Sequence, residues 1–116
     1  MAPTIESYEF GRIVIDGREY RADIIILPDR VVADWWRLAG HNLAPEDLKE
    51  VVAAEPKILV VGNGAYGAME IPEATVLHLE SRGVKVEKYD TAGAVARYNE
   101  LAAAGEAVAA ALHLTC

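Results

Sequence analysis

Hydrophobic positions fall into short runs cut by turn residues, with no long uniform stretch. Near the start, Phe10–Ile15 leads into Asp16-Gly17, the dipeptide a type I′ turn favours because glycine takes a positive φ at little cost. The return strand is expected over Glu19–Leu27, and its Ile24-Ile25-Ile26-Leu27 run reads as buried on both faces. Pro28-Asp29 breaks it, and a strand-like piece over Val31–Trp35 ends near Trp36 and Gly40.

Beyond that point helices and strands alternate. Pro45 opens a helix through Ala54 with Leu48, Val51 and Val52 on one face. Lys57–Val61 is an apolar strand ending at Gly62, and a second helix runs over Pro72–Arg82. Val84–Tyr89 follows as a strand. Thr91 is the expected N-cap of a third helix through Ala104, whose inner face carries Ala94, Val95, Tyr98, Leu101 and Ala102. Asn99, at the edge of that face, is placed to pin a loop by hydrogen bonds. Val108–Leu114 closes the pattern as a strand, although its alanine run also suits a helix. Strand, helix, strand, helix, strand at this spacing implies crossover units and a largely parallel sheet. The expectation is one α/β domain over residues 1–116, with about five strands.

Composition narrows the function classes. The chain has 116 residues, 53% of them hydrophobic, enough for a core without disulfides or metal. Its net charge is −7, and Arg12, Arg18, Arg21, Arg30 and Arg37 are interspersed with acids. No basic stripe is available to release counterions from phosphates, so nucleic acid is not an expected partner. No run approaches the length of a membrane span. The start is neither basic nor followed by an apolar stretch, so a signal peptide is not expected. With one cysteine, Cys116, the expected location is cytoplasmic.

The sharpest motif is Gly62-Asn63-Gly64-Ala65-Tyr66-Gly67, a G-x-G-x-x-G after an apolar strand. In dinucleotide-binding folds such glycines bring backbone N–H groups close to a pyrophosphate at a helix N-terminus. Here Pro72 starts the helix too late, and Glu87 and Asp90 lie 25 and 28 residues after Gly62, beyond the usual spacing of a ribose partner. A small-anion or metabolite site is the broader reading. In it the N–H groups of Asn63 and Gly64 hold an oxygen, Thr91 caps or contacts it, Tyr66 lines the mouth, and Gly67 and Asp90 border it. The competing reading takes the glycines as a sharp strand exit and Asp90 as a helix cap. His41, His78, His113 and Cys116 lack the paired spacing of a zinc site apart from His113-x-x-Cys116, so neither metal nor cofactor is expected. Trp35-Trp36-Arg37 has the composition of an interface anchor. One ring points inward and one outward if the strand reaches them; the alternative folds both over a sheet end.

Several pieces in order carry a family likeness. They are Phe10-Gly11, Tyr20-Arg21-Ala22-Asp23, Trp36-Arg37, Gly40-His41, Leu59 to Gly64 with Gly67, Asp90-Thr91 with Ala94, Tyr98-Asn99-x-Leu101 and Val108-Ala109-Ala110. The ending His113-Leu114-Thr115-Cys116 is similar to archaeal and bacterial members. The chain resembles the small α/β family of unknown function that includes mitochondrial complex I assembly factor 3 and the adipogenesis-associated domain-containing protein. The resemblance implies a three-layer fold: a central mixed sheet, helices on both faces and an added N-terminal β-hairpin. It implies no established enzyme activity or cofactor, and relatives that act through protein contacts. The leading expectation is therefore a non-enzymatic interaction or assembly-factor-like module. It self-associates or binds an unidentified protein through the surface around Trp35, Trp36 and Arg37.

Overall fold

A computed structural model describes residues 2–37 and 41–115; Gly40 and Cys116, both singled out above, lie outside the described residues. Strands β1 (Ile5–Glu9), β2 (Arg12–Ile15) and β3 (Arg18–Tyr20) form a small antiparallel sheet in that order. Phe10-Gly11 is the turn between β1 and β2, not the start of a strand as expected, because Gly11 sits at φ +75°. Asp16 and Gly17 join β2 to β3 at φ +48° and +79°, the left-handed pair a type I′ turn requires.

The expected return strand over Glu19–Leu27 is in fact two strands in two sheets. β3 ends at Tyr20, and β4 (Ile24–Leu27) begins after Arg21-Ala22-Asp23 in a second sheet. That sheet has the order β5-β4-β8-β6-β7, with β5 (Arg30–Val32), β6 (Ile58–Asn63), β7 (Lys85–Tyr89) and β8 (Val108–His113). The β6–β7 and β6–β8 pairs are parallel, while β4–β8 and β4–β5 are antiparallel. The sheet is therefore mixed rather than largely parallel, since the chain enters it from the N-terminal side through a tight β4–β5 turn.

A 3₁₀ turn at Pro45–Leu48 leads into helix α1 (Lys49–Ala54), splitting what periodicity reads as one helix. Helix α2 (Glu73–Glu80) follows Pro72, and α3 is Thr91–Ala103. Asp90, not Thr91, caps α3: its carboxylate accepts the Gly93 N–H at 2.8 Å. The difference arises because Thr91 is buried and its hydroxyl is used elsewhere.

Alternation divides the core in two. Ile24, Ile26, Val60, Ala110 and Leu112 pack with Ala94, Tyr98 and Leu101 of α3 and with Ile13 and Ile15 of the small sheet. Ile25, Leu27, Leu59, Val61, Ala109 and Ala111 pack with Val51 of α1, Leu79 of α2, Leu43, Met69 and Trp35. Every residue of β4 and β8 is buried, which explains how the alanine run of β8 is held as a strand against its helical propensity. Asn99 pins the small sheet: its Oδ1 accepts the Ile5 N–H at 3.0 Å and its Nδ2 donates to the Ile5 carbonyl at 2.7 Å.

Candidate functional site

The C-terminal ends of β6 and β8 meet the last residue before β4. Asn63 and His113 are register partners across the parallel β6–β8 pair, so their side chains leave the same face. The antiparallel β4–β8 register pairs Ile24 with Leu112, and one step further brings Asp23 beside His113. Three adjacent strands thus place Asp23, His113 and Asn63 in one row, on the face that also buries Ala111, Val61 and Trp35.

His113 is 5% exposed although it ends an apolar strand. Its Nδ1 lies 2.7 Å from Asp23 Oδ2, and Asp23 Oδ1 accepts the Leu114 N–H at 2.8 Å. Arg37 Nη1 donates to Asp23 Oδ2 at 2.7 Å, and its Nη2 lies 3.2 Å from His113 Nδ1. The guanidinium also covers the Trp35 ring at 4.9 Å. Burial pushes the Asp23 carboxyl up, but the Leu114 amide, His113 and Arg37 together outweigh it and hold the group below the usual carboxylate range. The ionised Asp23 favours a proton on Nδ1, the tautomer that leaves Nε2 as the ring's acceptor. His113 Nε2 and Asn63 Oδ1 are both buried with no hydrogen-bond partner. The ring of His41, an exposed residue, meets that of His113 edge-on at 5.5 Å.

The glycine loop and the Asp90-Thr91 corner come together, as the crossover spacing implies. Thr91 Oγ1 accepts the Gly64 N–H at 3.0 Å and donates to the His113 carbonyl at 2.6 Å, while the Thr91 N–H donates to the Gly64 carbonyl at 3.1 Å. A Cβ on Gly62 would stand 3.0 Å from both Leu112 Cδ2 and Thr91 Oγ1, so this glycine admits the start of α3 to close contact. The Ala65 N–H donates to the Thr115 carbonyl, the Gly67 N–H to Gly64 and the Met69 N–H to Asn63. The loop's amides are thus largely committed within the fold. Tyr66 is 80% exposed and lies 6.2 Å from the ring of Phe10, itself exposed.

The two tryptophans diverge. Trp35 is 8% exposed and donates its Nε1–H to the Asp47 carbonyl at 2.9 Å, while Trp36 is 85% exposed. Arg37, grouped with them on sequence, turns its side chain inward to Asp23. A cavity of about 380 Å³ lies between Ala22, Asp23, Asp34, Trp35, Trp36 and Arg37. Among the described residues, no three or more His, Cys, Asp and Glu are grouped to hold a metal ion, and no helix is long and apolar enough to cross a membrane. Sequence reasoning missed the pairing of Asp23 with His113. The available signal was polarity out of place: an acid directly before four buried aliphatics, and a histidine ending a strand of apolar residues.

The profile of a family described as a protein of unknown function (DUF498/DUF598) matches residues 5–113. The chain belongs to this family. Among curated members of similar sequence is human NADH dehydrogenase [ubiquinone] 1 alpha subcomplex assembly factor 3, 32% identical over 110 residues. That match takes in 93% of this chain and 59% of the human protein, so the chain spans little more than half the length of its curated relative. Solved structures that this chain is similar to include the conserved hypothetical protein PH1505 of Pyrococcus horikoshii. It is 28% identical, with a TM-score of 0.84 over 97% of this chain and 99% of that one. A protein called MT938 is 30% identical, with a TM-score of 0.82 over 99% of this chain and all of that one.

Proposed function

We propose that this domain works by contact with another protein, as an assembly-factor-like module and not as an enzyme, with Trp36 as the anchor. The observation that carries the reading is the exposure of Trp36, 85%, beside a Trp35 that is locked in the core. Burial and the hydrogen bond to Asp47 hold Trp35, and the ion pair with Asp23 holds Arg37, so the Trp36 backbone is fixed on both sides. A large ring on a rigid base loses little conformational freedom on binding, which is why tryptophan dominates interface hot spots. The human relative's description as an assembly factor supports the same reading. The partner is a second copy of this chain or a different protein. Sedimentation of the purified chain, with affinity capture from its native cells, compares wild type with Trp36→Ala. Self-association or a captured partner that is lost in the variant is expected. A strict monomer that captures nothing, or the same partner held equally by both proteins, overturns the reading.

A further inference from the structure

We propose that the Trp36 surface takes an arginine-bearing basic segment of a different protein, one guanidinium lying on the Trp36 ring and pairing with Asp34. This rests on the reading of Trp36 as an anchor and adds the chemistry of its partner. Trp36 borders two clefts, of about 380 and 340 Å³, and Asp34 and Trp35 line both of them with it. The exposed ring is thus a wall common to two hollows, each large enough to receive a side chain.

Charge selects the occupant. The walls of the two clefts carry five acids and two bases. Asp23 is taken up by Arg37 and His113, and Asp47 accepts the Ala44 N–H at 2.9 Å. Asp34, Glu46 and Glu50 make no side-chain hydrogen bond or ion pair among the described residues. Lys49 is the one base lining the clefts outside the Arg37–Asp23 pair. A second copy of this chain fits badly. A two-fold contact centred on Trp36 would set these acids against their own counterparts, on a chain of net charge −7. A basic partner is drawn to the same surface.

The fold already contains the pairing that the surface would repeat. Inside, the Arg37 guanidinium covers the Trp35 ring at 4.9 Å and donates to Asp23 at 2.7 Å. Beside it, Trp36 and Asp34 offer an exposed indole and an exposed carboxylate. A guanidinium satisfies both at once, stacking flat on a ring while its N–H groups reach an acid; a lysine ammonium has no flat face. The Asp34 backbone is fixed: it sits at φ +54°, and the following Trp35 N–H donates to the Asp23 carbonyl at 2.8 Å.

The probe is the peptide acetyl-Gly-Arg-Gly-Arg-Gly-amide, titrated into the ¹⁵N-labelled chain. Two tryptophans give two indole N–H resonances, and the buried Trp35 serves as the internal control. The arginine peptide is expected to move the Trp36 signal saturably and leave that of Trp35 in place. The same peptide with citrulline for arginine keeps the shape without the charge, and is expected to move neither. Asparagine tolerates a left-handed backbone, so Asp34→Asn should fold and bind the arginine peptide about two- to fivefold more weakly, the worth of an exposed ion pair. A Trp36 signal unmoved by the arginine peptide, an equal shift from the citrulline peptide, or undiminished affinity in Asp34→Asn overturns the proposal. Self-association that is lost in Trp36→Ala does the same, since a second copy then fills the surface. If a different protein is still captured through Trp36 when the arginine peptide is inert, the anchor reading stands and only the partner's chemistry falls.

Discussion

His113 Nδ1 lies 2.7 Å from Asp23 Oδ2, joining two residues ninety positions apart. The contact links β8 to the segment that connects the small sheet to the large one, and Arg37 closes it from a third part of the chain. Breaking such a buried pair leaves a charge without its partner, so the costs are concentrated there.

Asp23→Asn keeps an acceptor for the Leu114 amide and removes the charge. The wild-type carboxyl is held below the ordinary aspartate value of 3.8 by the Leu114 amide, His113 and Arg37, against the opposing effect of burial. A depressed carboxyl contributes stability that is fully present above 3.8 and is lost as the pH falls through its lower folded value. Urea unfolding should find the variant less stable by about 1.5–3 kcal/mol at neutral pH, the worth of hydrogen bonds to charged groups, since Arg37 loses its ion pair with Asp23. The gap should narrow in acid, where the wild-type carboxyl is neutral too. Parallel stability curves across that range would refute the account.

Gly62→Ala should cost about 1–3 kcal/mol, as overpacking does in a dense core. The added methyl would meet Leu112 Cδ2 and Thr91 Oγ1 at 3.0 Å and the Thr91 Cα at 3.1 Å, and the last is backbone that moves only with the start of α3. Faster amide exchange at Gly64, whose N–H is held by Thr91, is the local sign to look for. A variant as stable as wild type would mean the crevice is roomier than these distances.

Tyr98 is buried, and its hydroxyl donates to the Pro3 carbonyl at 2.6 Å. Burial, with a smaller effect from Asp16, pushes the phenol well above its ordinary value of 10.0. A raised folded pKa contributes stability that is fully present below 10.0 and is lost as the pH rises towards the folded value. Tyr98→Phe should lower stability by about 1 kcal/mol at neutral pH through the lost hydrogen bond. That difference should shrink in alkali, where the unfolded wild-type tyrosine ionises. Thermal melts across that range check both signs.

The neighbouring tryptophans should respond in opposite ways. Trp35→Ala removes a core ring and its hydrogen bond to Asp47 and is expected to cost about 3–5 kcal/mol. Trp36→Ala should stay within about 0.5 kcal/mol of wild type in chemical denaturation, as surface substitutions do. A large loss from Trp36→Ala would mean that its ring packs on the fold.

Local patterning was enough for much of the architecture. The Asp16-Gly17 turn, the doubly buried Ile24–Leu27 run, and α3 with its inward Ala94, Tyr98 and Leu101 are all readable because they depend on residues a few positions apart. The alternation of elements also places a strand over Val108–Leu114, where propensity alone leaves a helix open, and the strand is found at Val108–His113. The division of Glu19–Leu27 between two sheets was not readable, because strand propensity carries no information on which partner a strand chooses. Nor was the direction of pairing, which makes the sheet mixed. The polar row is the clearest case. Asp23, Asn63 and His113 each look incidental in the chain, and they fall in one row because β4, β8 and β6 lie side by side at a register set by the aliphatic residues behind them. The sequence determined which segments are strands and which faces are apolar, since those follow from nearest-neighbour sterics and the period of burial. Only the tertiary structure decided which polar side chains meet, because that depends on strand order and register, fixed by packing across the whole sheet.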